Sequence, residues 1–422
     1  MNEQERLLDG YRALDLTDEK GHLCGKILGD YGADVIKIER PDGDPSRNRG
    51  PFYKDIPDPE GSLSWFAFNT SKRGITLDIE TATGQGIFRR LASTADLVIE
   101  SYEPGYMESL SLGYSDLESI RPEIIMTSIT PFGQSGPYAH YRATDLVSSA
   151  MGGLVQLLGD IGRPPVRMSC DPQAYCQAGI HAALGSMVAL FHRSVTGEGQ
   201  HVDVSMQRAV VLSTMNEAEV FDLMKVNIRG TGQFYINPRP EPLGPLLMRF
   251  IFACKDGYVV LYFMGGNPGL IRSSRSLVDW ANEEGKALEL KDYDFTEWNG
   301  STIASEELDR QYKAIIEFLS TKTKDELFEG AVRRGIMLAP CATVEDIMTN
   351  RQLKAREFWV EVEHTELGRS IVYPGAPIKL SEVPWRIQRR APLIGEHNEE
   401  VYVHELGLPR EQVAILKANR VV

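Results

Sequence analysis

An aspartate followed by a proline separates a polar stretch from a long apolar segment in RMSCDPQAYCQAG, residues 167–179. Asp171 could cap a helix that begins at Pro172, because a carboxylate accepts bonds from free N-terminal amides and proline is tolerated at the first helical position. A carboxylate here could equally act as a nucleophile that forms a covalent intermediate. The flanking thiols of Cys170 and Cys176 are expected to pack as small hydrophobic side chains. Both roles of Asp171 remain open at this level.

The composition narrows the class of protein. A chain of 422 residues is long enough for two domains, and its net charge of −14 disfavours nucleic acid or an anionic membrane as the main partner. The five cysteines are scattered, which favours a reducing, cytoplasmic setting. Histidines occur singly, so no metal site is expected. The acidic N-terminus and the lack of an apolar run of about 18 residues predict neither a signal peptide nor a membrane span.

Strand and helix patterns alternate over the first 130 residues, as in YRALDL, GHLCGKILGDYG and ADVIKIE. This alternation predicts an α/β fold with a Rossmann-like parallel sheet whose ligands bind at the carboxyl ends of the strands. The first strand-to-helix turn, LTDEKGHLCG, lacks the G-x-G-x-x-G pattern, and no P-loop occurs in the sequence. NAD and FAD are therefore not expected.

The chain changes character twice after the first sheet. Helices are predicted over 145–158 and 172–193, and the second is apolar on nearly all faces and therefore expected to be buried. The segment VNIRGTGQFYINPRPEPLGPLL reads as a loop or linker, and FIFACKDGYVVLYFM predicts a hairpin. We expect a large domain formed by 1–224 and 337–422, interrupted by a small α+β domain at 225–336.

Seven separated motifs occur in one order: LDLT, GADVIKIERPDGD, FAFNTSKRGITLD, ADLVIESYEPG, TGEGQHVDVSM, PGAPIKLSEVPW and APLIGEHNEE. In this order they resemble the class III CoA-transferase family, which includes formyl-CoA and carnitine CoA-transferases and has α-methylacyl-CoA racemases as relatives. The resemblance covers the chain except for about 225–335. It implies two interlocked subunits, either a homodimer or a heteromer with a related subunit.

The resemblance implies that Asp171 is the catalytic nucleophile. The carboxylate would attack an acyl-CoA thioester and carry first the acyl group and then CoA, which needs no metal and no tightly bound cofactor. The helix N-terminus would favour the ionised carboxylate. Backbone amides near Lys20 and Gly21 are the expected donors to the tetrahedral oxyanions.

The resemblance also implies a set of residues that bind coenzyme A. Arg40 matches an arginine that contacts adenine and phosphate, Leu77 would lie under the adenine, and Arg142 falls on a family lysine position. The full set is Lys20, Gly21, Arg40, Leu77, Ser101, Tyr102, Arg142 and Asp145.

Two positions depart from the family pattern, since Glu80 and Ser109 replace basic residues expected to contact phosphate. Lys72, Arg73 or the pair Arg389–Arg390 could replace these contacts. The tetraglycine loop of formyl-CoA transferase is also absent, which leaves RGTGQ at 229–233 and MGGNPG at 264–269. Formate and oxalate are accordingly disfavoured, and we expect a bulkier dicarboxylic acceptor with succinyl-CoA as the donor.

Two alternatives remain open. An acyl-CoA racemase or isomerase would need a histidine at the position of Thr144 to pair with an aspartate, and that partner is missing. The chain could also be one subunit of a heteromeric CoA-transferase in which only one subunit is competent; retention of Asp171 argues against a silent subunit but not against a heteromer.

Overall fold

The computed structural model describes residues 6–169, 171–239, 243–383 and 385–422. These residues form two compact units. The large unit contains the residues up to Val155 together with Arg167–Asn227 and Gln352–Val422, and the small unit contains Gln156–Val166 and Ile228–Arg351.

A six-stranded sheet forms the centre of the large unit, with the order β3-β2-β1-β4-β5-β6 and every neighbouring pair parallel. Its strands are β1 (Arg12–Asp15), β2 (Asp34–Glu39), β3 (Lys72–Thr76), β4 (Leu97–Glu100), β5 (Ile125–Thr130) and β6 (Gln200–Ser205). The strand order reverses between β1 and β4, and such a reversal opens a crevice at the carboxyl ends of the strands. The predicted Rossmann-like parallel sheet is confirmed.

Helices cover both faces of this sheet. The first five are α1 (His22–Asp30), α2 (Leu63–Phe68), α3 (Ala82–Ala92), α4 (Tyr106–Ser109) and α5 (Tyr114–Ile120). Phe88 and Leu91 of α3 belong to the core cluster on one face, and Cys24 and Leu28 of α1 belong to the cluster on the other. The central strand β4, LVIE, is apolar in three of its four residues and fully buried, as expected for a strand with both faces covered.

The longest helix departs from its predicted burial. After α6 (Asp145–Met151) comes α7 (Gln173–Thr196), whose inner face packs against α1 and β5. Its outer face exposes an apolar stripe, which we call the α7 stripe: Ile180, Leu184, Val188, Phe191 and Val195. These residues repeat every three or four positions and lie on one side of the helix. By length and composition alone α7 could also span a membrane, although half of its most apolar window is buried within the protein.

The small unit contains two antiparallel sheets. In the chain it comes after α8 (Met206–Val211) and α9 (Met215–Met224) of the large unit. Its strands and helices are β7 (Phe234–Asn237), β8 (Leu246–Arg249), β9 (Ile251–Cys254), β10 (Gly257–Leu261), α10 (Pro268–Glu283), α11 (Ser305–Leu319), α12 (Lys324–Arg334), β11 (Leu338–Pro340) and α13 (Val344–Thr349). The β9–β10 hairpin around Lys255 and Asp256 is confirmed. The segment interpreted as a linker instead contains β7 and the start of its partner β8, since aromatic and branched residues in FYIN favour a strand.

The observed small unit is wider than the predicted 225–336. Strand β11 pairs with β10, which keeps the residues after 336 with this unit. The segment 156–166 also belongs to it, because Gly230 N donates to Gln156 O and Gly232 approaches Asp160 closely. Long-range pairing of this kind leaves no local signal in the sequence.

The C-terminal part of the chain completes the large unit. It contains α14 (Arg351–Ala355), the hairpin β12 (Trp359–His364) and β13 (Arg369–Pro374), a π-helical stretch at Glu399–Glu405 and α15 (Arg410–Ala418). Tyr402 and Leu416 pack into the core cluster of the sheet. The outer edge of β3 is bonded to this part, since Gly74 N donates to His397 Nδ1 and Thr76 N donates to Asn398 Oδ1.

Candidate active site

A cavity of about 560 Å³ lies at the carboxyl ends of β1, β2 and β4. We call it the Arg40 cavity, and its lining includes Leu16, Asp18, Lys20, Glu39, Arg40, Asp44, Ser101, Tyr102, Glu103, Tyr141 and Arg142. Five of the eight residues predicted to bind coenzyme A lie here: Lys20, Arg40, Ser101, Tyr102 and Arg142. The strand-order reversal places them together, because the residues that follow neighbouring parallel strands meet at one edge.

Hydrogen bonds fix the wall of this cavity on either side of the reversal. Ser101 Oγ accepts from Asp18 N at 2.9 Å and donates to Asp18 Oδ1 at 2.9 Å, which ties the end of β4 to the turn after β1. The same carboxylate pairs with the ammonium of Lys20. The ring of Tyr102 packs against that of Tyr106, with centroids 4.5 Å apart. The resulting wall is rigid and offers an aromatic face.

Arg40 is paired with Glu80 across the mouth of the Arg40 cavity. Its Nη2 lies 2.7 Å from Glu80 Oε1, which also accepts from Tyr106 Oη at 2.9 Å. Burial lowers the pKa of Arg40, but the Glu80 carboxylate and the hydroxyls of Tyr106 and Tyr102 together outweigh it, so that the net shift of the pKa is upward. Glu80 stands at a position where the resemblance implies a lysine. Its carboxylate pairs with Arg40, the cation that is expected to bind phosphate.

Three of the predicted coenzyme A residues lie elsewhere. Leu77 is 2% exposed within the core cluster of the sheet, so it presents no surface to the Arg40 cavity. Gly21 begins α1, and a Cβ there would lie 2.5 Å from Thr17 Cγ2, which explains the glycine by close packing. Asp145 lines a second cavity, described below.

The expected oxyanion donors are already engaged. Lys20 N donates to Asp18 Oδ1 at 3.0 Å, and Gly21 N donates to Asp18 O at 2.9 Å. Of the glycine-rich alternatives, Gly230 N is bonded to Gln156 O and Gly269 N to Asn267 Oδ1. The segment MGGNPG therefore serves partly as the start of α10, with Asn267 as its cap.

The basic residues expected to replace the missing phosphate contacts are mostly internal. Lys72 is fully buried and bonds Asp15 Oδ2 at 2.7 Å, and Arg73 pairs with Asp34 and Glu400. The pair Arg389–Arg390 borders a separate groove beside β12, and Arg390 is bound to Glu366 and Glu396. Lys72 and Arg73 are therefore structural cations rather than ligands for a phosphate.

The second cavity, of about 480 Å³, contains the predicted nucleophile, and we call it the Asp171 cavity. Its lining includes Glu19, His22, Leu23, Ser46, Arg49, Trp65, Phe68, Thr144, Asp145, Leu146, Arg167, Asp171, Pro172, Tyr175 and Cys176. The segments 18–20, 44–46 and 142–145 contribute neighbouring residues to both cavities. The two cavities are therefore adjacent, as a thioester with a long nucleotide arm requires.

Asp171 does not cap α7, contrary to the simplest interpretation of its position. The helix begins after Pro172 with no side-chain bond from that residue, and Asp171 N donates to Ser169 Oγ at 3.0 Å. The capping carboxylate is Asp145, whose Oδ1 accepts from Ala174 N at 2.7 Å and from Tyr175 N at 3.2 Å. The side chain of Asp171 is exposed within its cavity and remains available for chemistry.

The thiol in the Asp171 cavity is a poor nucleophile. Burial raises the pKa of Cys176 to about 11, and the carboxylates of Asp145 and Asp171 act in the same direction. The thiol is therefore protonated at neutral pH, whereas thiol reactivity requires the thiolate. The second flanking cysteine, Cys170, lies outside the described residues.

The histidine of the Asp171 cavity faces the protein rather than open space. Burial lowers the pKa of His22, whose Nε2 lies 3.5 Å from Asp44 Oδ2 and whose Nδ1 lies 3.3 Å from Asn69 Nδ2. Thr144 stands beside Asp145, where a racemase would need its histidine. The histidine–aspartate pair that the resemblance implies for a racemase is thus missing at Thr144 and Asp145. The described part of the chain also holds no cluster of three His, Cys, Asp or Glu suited to a metal ion.

Sequence reasoning missed most of the Asp171 cavity wall. The residues that were missed are Glu19, His22, Arg49, Trp65 and Tyr175. Arg49 and Trp65 come from the segment 45–68, whose helices are too short to give a recognisable hydrophobic period. Burial raises the pKa of Glu19, which pairs with Arg49. The only available signal was a concentration of aromatic and basic residues in an otherwise polar loop.

Comparison with known proteins identifies the family of this chain. The family model of CoA-transferase family III matches residues 8–398. The subunit BbsE of succinyl-CoA:(R)-benzylsuccinate CoA-transferase from Thauera aromatica is 37% identical over 96% of this chain and 95% of its own length. A formyl-CoA:oxalate CoA-transferase from Streptomyces avermitilis is 32% identical over 99% of this chain and 100% of its own.

Among solved structures, a CAIB/BAIF family protein from Brucella suis superposes with a TM-score of 0.79 at 27% identity, covering 95% of this chain and 100% of its own. Matches of this extent, in both sequence and structure, show that the chain belongs to CoA-transferase family III and is a CoA-transferase.

Proposed function

We propose that this protein transfers CoA from an acyl-CoA thioester to a carboxylic acid through a covalent intermediate on Asp171. The observation that carries the proposal is the exposed carboxylate of Asp171. This carboxylate does not cap α7, because Asp145 accepts the bonds from the first turn of that helix instead. It lies in a cavity next to the strand-end crevice, where a nucleotide arm has room. A carboxylate nucleophile divides one difficult transfer into easier steps.

Each step conserves the energy of one thioester. An Asp171 oxygen attacks the thioester carbon, and the collapse of the tetrahedral intermediate expels CoA thiolate and leaves an acyl-aspartyl anhydride. The thiolate then attacks the aspartyl carbonyl and releases the donor acid, which leaves an aspartyl-CoA thioester. The acceptor carboxylate attacks this thioester and expels the thiolate, which finally attacks the acceptor carbonyl and regenerates Asp171.

The substrates that we propose are succinyl-CoA as donor and a bulky dicarboxylic acid as acceptor. The relative from Thauera aromatica is named for succinyl-CoA and (R)-benzylsuccinate, and the walls of the Asp171 cavity here include Trp65, Phe68 and Leu146. Formate and oxalate are too small to cover these apolar surfaces and would leave them in contact with water. The nucleotide of CoA would occupy the Arg40 cavity, against Tyr102.

The proposed assembly is an interlocked dimer, either of two copies or with a related subunit. The α7 stripe supports it, because five apolar side chains in one row are rarely left in water on a soluble enzyme. The benzylsuccinate relative is itself named as a subunit. Sedimentation of the chain expressed alone tests this, and a monomer at micromolar concentration that turns over substrate would refute it.

The chemistry is tested on the peptide between Arg167 and Arg193. Incubation with succinyl-CoA and no acceptor should leave a mass adduct on Asp171 that hydroxylamine converts to a hydroxamate. Asp171→Asn should lose the adduct and lower kcat by a factor on the order of 10³ or more. An adduct located on Cys176 or Cys170, or turnover retained in Asp171→Asn, would overturn the mechanism. A racemase would exchange the α-hydrogen of its substrate and leave the peptide unmodified.

A further inference from the structure

Two arginines, Arg49 and Arg167, line the Asp171 cavity, and much of the Arg49 side chain is open to solvent. Arg49 lines this cavity, its side chain is 64% exposed, and its Nη1 pairs with a Glu19 oxygen. A guanidinium has five N–H donors, so one carboxylate does not exhaust it. The arginine therefore retains donors for a second anion inside the cavity.

Buried charged residues support the loop that carries Arg49. It follows a 3₁₀ turn at Pro45–Asn48, which begins with Asp44 Oδ1 accepting from Ser46 N at 2.8 Å. Arg47 is buried, bonds both oxygens of Glu39 at 2.6 and 2.8 Å, and stacks over Trp65. Arg49 N donates to Ser46 O at 3.0 Å. The backbone position of Arg49 is thus fixed before any ligand binds.

Part of the wall of the Asp171 cavity is apolar. Trp65 and Phe68 come from α2, and Leu146 comes from the start of α6. The cavity therefore combines one reacting carboxylate, a partly apolar wall and a fixed cation. A molecule with an acyl carbon at one end, an apolar body and a carboxylate at the other end fits this arrangement.

We propose that Arg49 binds the carboxylate of a dicarboxylic substrate that does not react with Asp171, and so selects dicarboxylates over monocarboxylates. The inference rests on the proposed function, because it takes Asp171 as the reacting group. Glu19 is the partner of the guanidinium while the cavity is empty, and its negative charge opposes a second carboxylate at the same place. A bidentate guanidinium–carboxylate pair then positions the distal end of the substrate.

The test compares two donors that differ only at the distal end, succinyl-CoA and butyryl-CoA. The second-order rate constant for adduct formation on the peptide between Arg167 and Arg193 is measured for each donor by rapid quench and mass spectrometry. The wild-type protein should prefer succinyl-CoA, and Arg49→Gln should lower that preference about 10- to 100-fold, the range expected for a hydrogen bond to a charged group. Arg49→Lys keeps the charge without the fork and should give an intermediate preference.

Two further variants complete the comparison. Arg410→Gln removes an exposed arginine that pairs with Glu399 outside both cavities, and it should leave the preference unchanged. Glu19→Gln removes the carboxylate that competes for Arg49, and it should raise the preference for succinyl-CoA. Thermal denaturation of each variant verifies that it is folded.

The outcomes separate the two proposals. If adducts form on Asp171 but the preference is the same in wild type and Arg49→Gln, the role of Arg49 is refuted and the transferase mechanism stands. A Glu19→Gln variant that loses the preference would also contradict the role of Arg49. If the wild type forms no adduct with any donor that it turns over, the mechanism fails and the inference about Arg49 fails with it.

Discussion

Replacement of Asp145 by alanine should both destabilise the large unit and slow acylation of Asp171. The Asp145 carboxylate is 8% exposed and accepts bonds from the amides of Ala174 and Tyr175 in the first turn of α7. Loss of a side-chain cap costs about 0.5–2 kcal/mol, and loss of a negative charge at a helix N-terminus costs about 0.3–1 kcal/mol more. We therefore expect a decrease of about 1–3 kcal/mol in the free energy of unfolding.

The effect on activity is expected because the capped turn is close to Asp171 in sequence. The first bonded amide is that of Ala174, three residues after Asp171, so fraying of this turn displaces the nucleophile. Urea denaturation measures the stability, and the rate of adduct formation from succinyl-CoA measures the activity. Asp145→Asn keeps an acceptor but not the charge, so its loss of stability should be smaller than that of Asp145→Ala.

Thr81→Ala is the matched control for this prediction. Thr81 Oγ1 accepts from Gly84 N at 3.0 Å at the start of α3, and Thr81 lines neither cavity. Its loss should cost about 1 kcal/mol without changing the rate of adduct formation. If Asp145→Ala retains wild-type stability within about 0.5 kcal/mol, or slows acylation no more than Thr81→Ala does, the assignment of Asp145 as the cap that positions Asp171 is refuted.

The remaining predictions concern buried and paired charges. Burial raises the pKa of Glu100 from 4.5 to about 7, so its ionisation lowers the free energy of unfolding progressively as pH rises from about 4.5 through 7. Glu100→Gln removes this cost, which is roughly 3 kcal/mol at most, and should raise Tm at pH 8 by a few degrees. Calorimetry should show that Tm at a pH of about 4.5 is nearly unchanged. Glu80→Gln should free Arg40 and lower the Kd for CoA more than the Kd for 3′-dephospho-CoA; equal effects on the two ligands in calorimetric titration would argue against a contact between Arg40 and the 3′-phosphate. Lys72→Met should destabilise the large unit by about 3–5 kcal/mol in urea denaturation, because it leaves the Asp15 carboxylate buried without its principal partner, and a cost below about 1 kcal/mol would contradict this.

Strands β2, β4 and β5 of the sheet were predictable because they are mainly apolar runs, DVIKIE, LVIE and IMTSIT, between polar turns. Arg40, Ser101 and Tyr102 follow such runs directly, and their meeting in one cavity follows from the parallel topology. Leu77 also follows a strand, but it turns into the core, and only side-chain packing decides between these two outcomes.

The Asp171 cavity was less predictable because its parts are distant in sequence. Asp145 bonds amides 29 and 30 residues further along the chain, and this pairing decides which aspartate is the cap and which is free. Arg49 and Trp65 stand in a segment without a sustained period, so their role depends on the buried frame of Arg47 and Glu39. Burial of α7 was overestimated, because an apolar sequence does not reveal which of its faces the same chain covers.

The sealing of β3 by the C-terminal part has a consequence for synthesis on the ribosome. Thr76 N bonds a side chain 322 residues away, at Asn398, and the Tyr402 hydroxyl donates to Thr76 O at 2.6 Å. Once β6 (Gln200–Ser205) has completed the parallel sheet, a nascent chain therefore carries β3 as an open edge until residues 397–402 are translated. Open edges pair with other chains. The interval between translation of β3 and arrival of residues 397–402 is thus the period in which this protein most needs a chaperone, and slower translation would lengthen it.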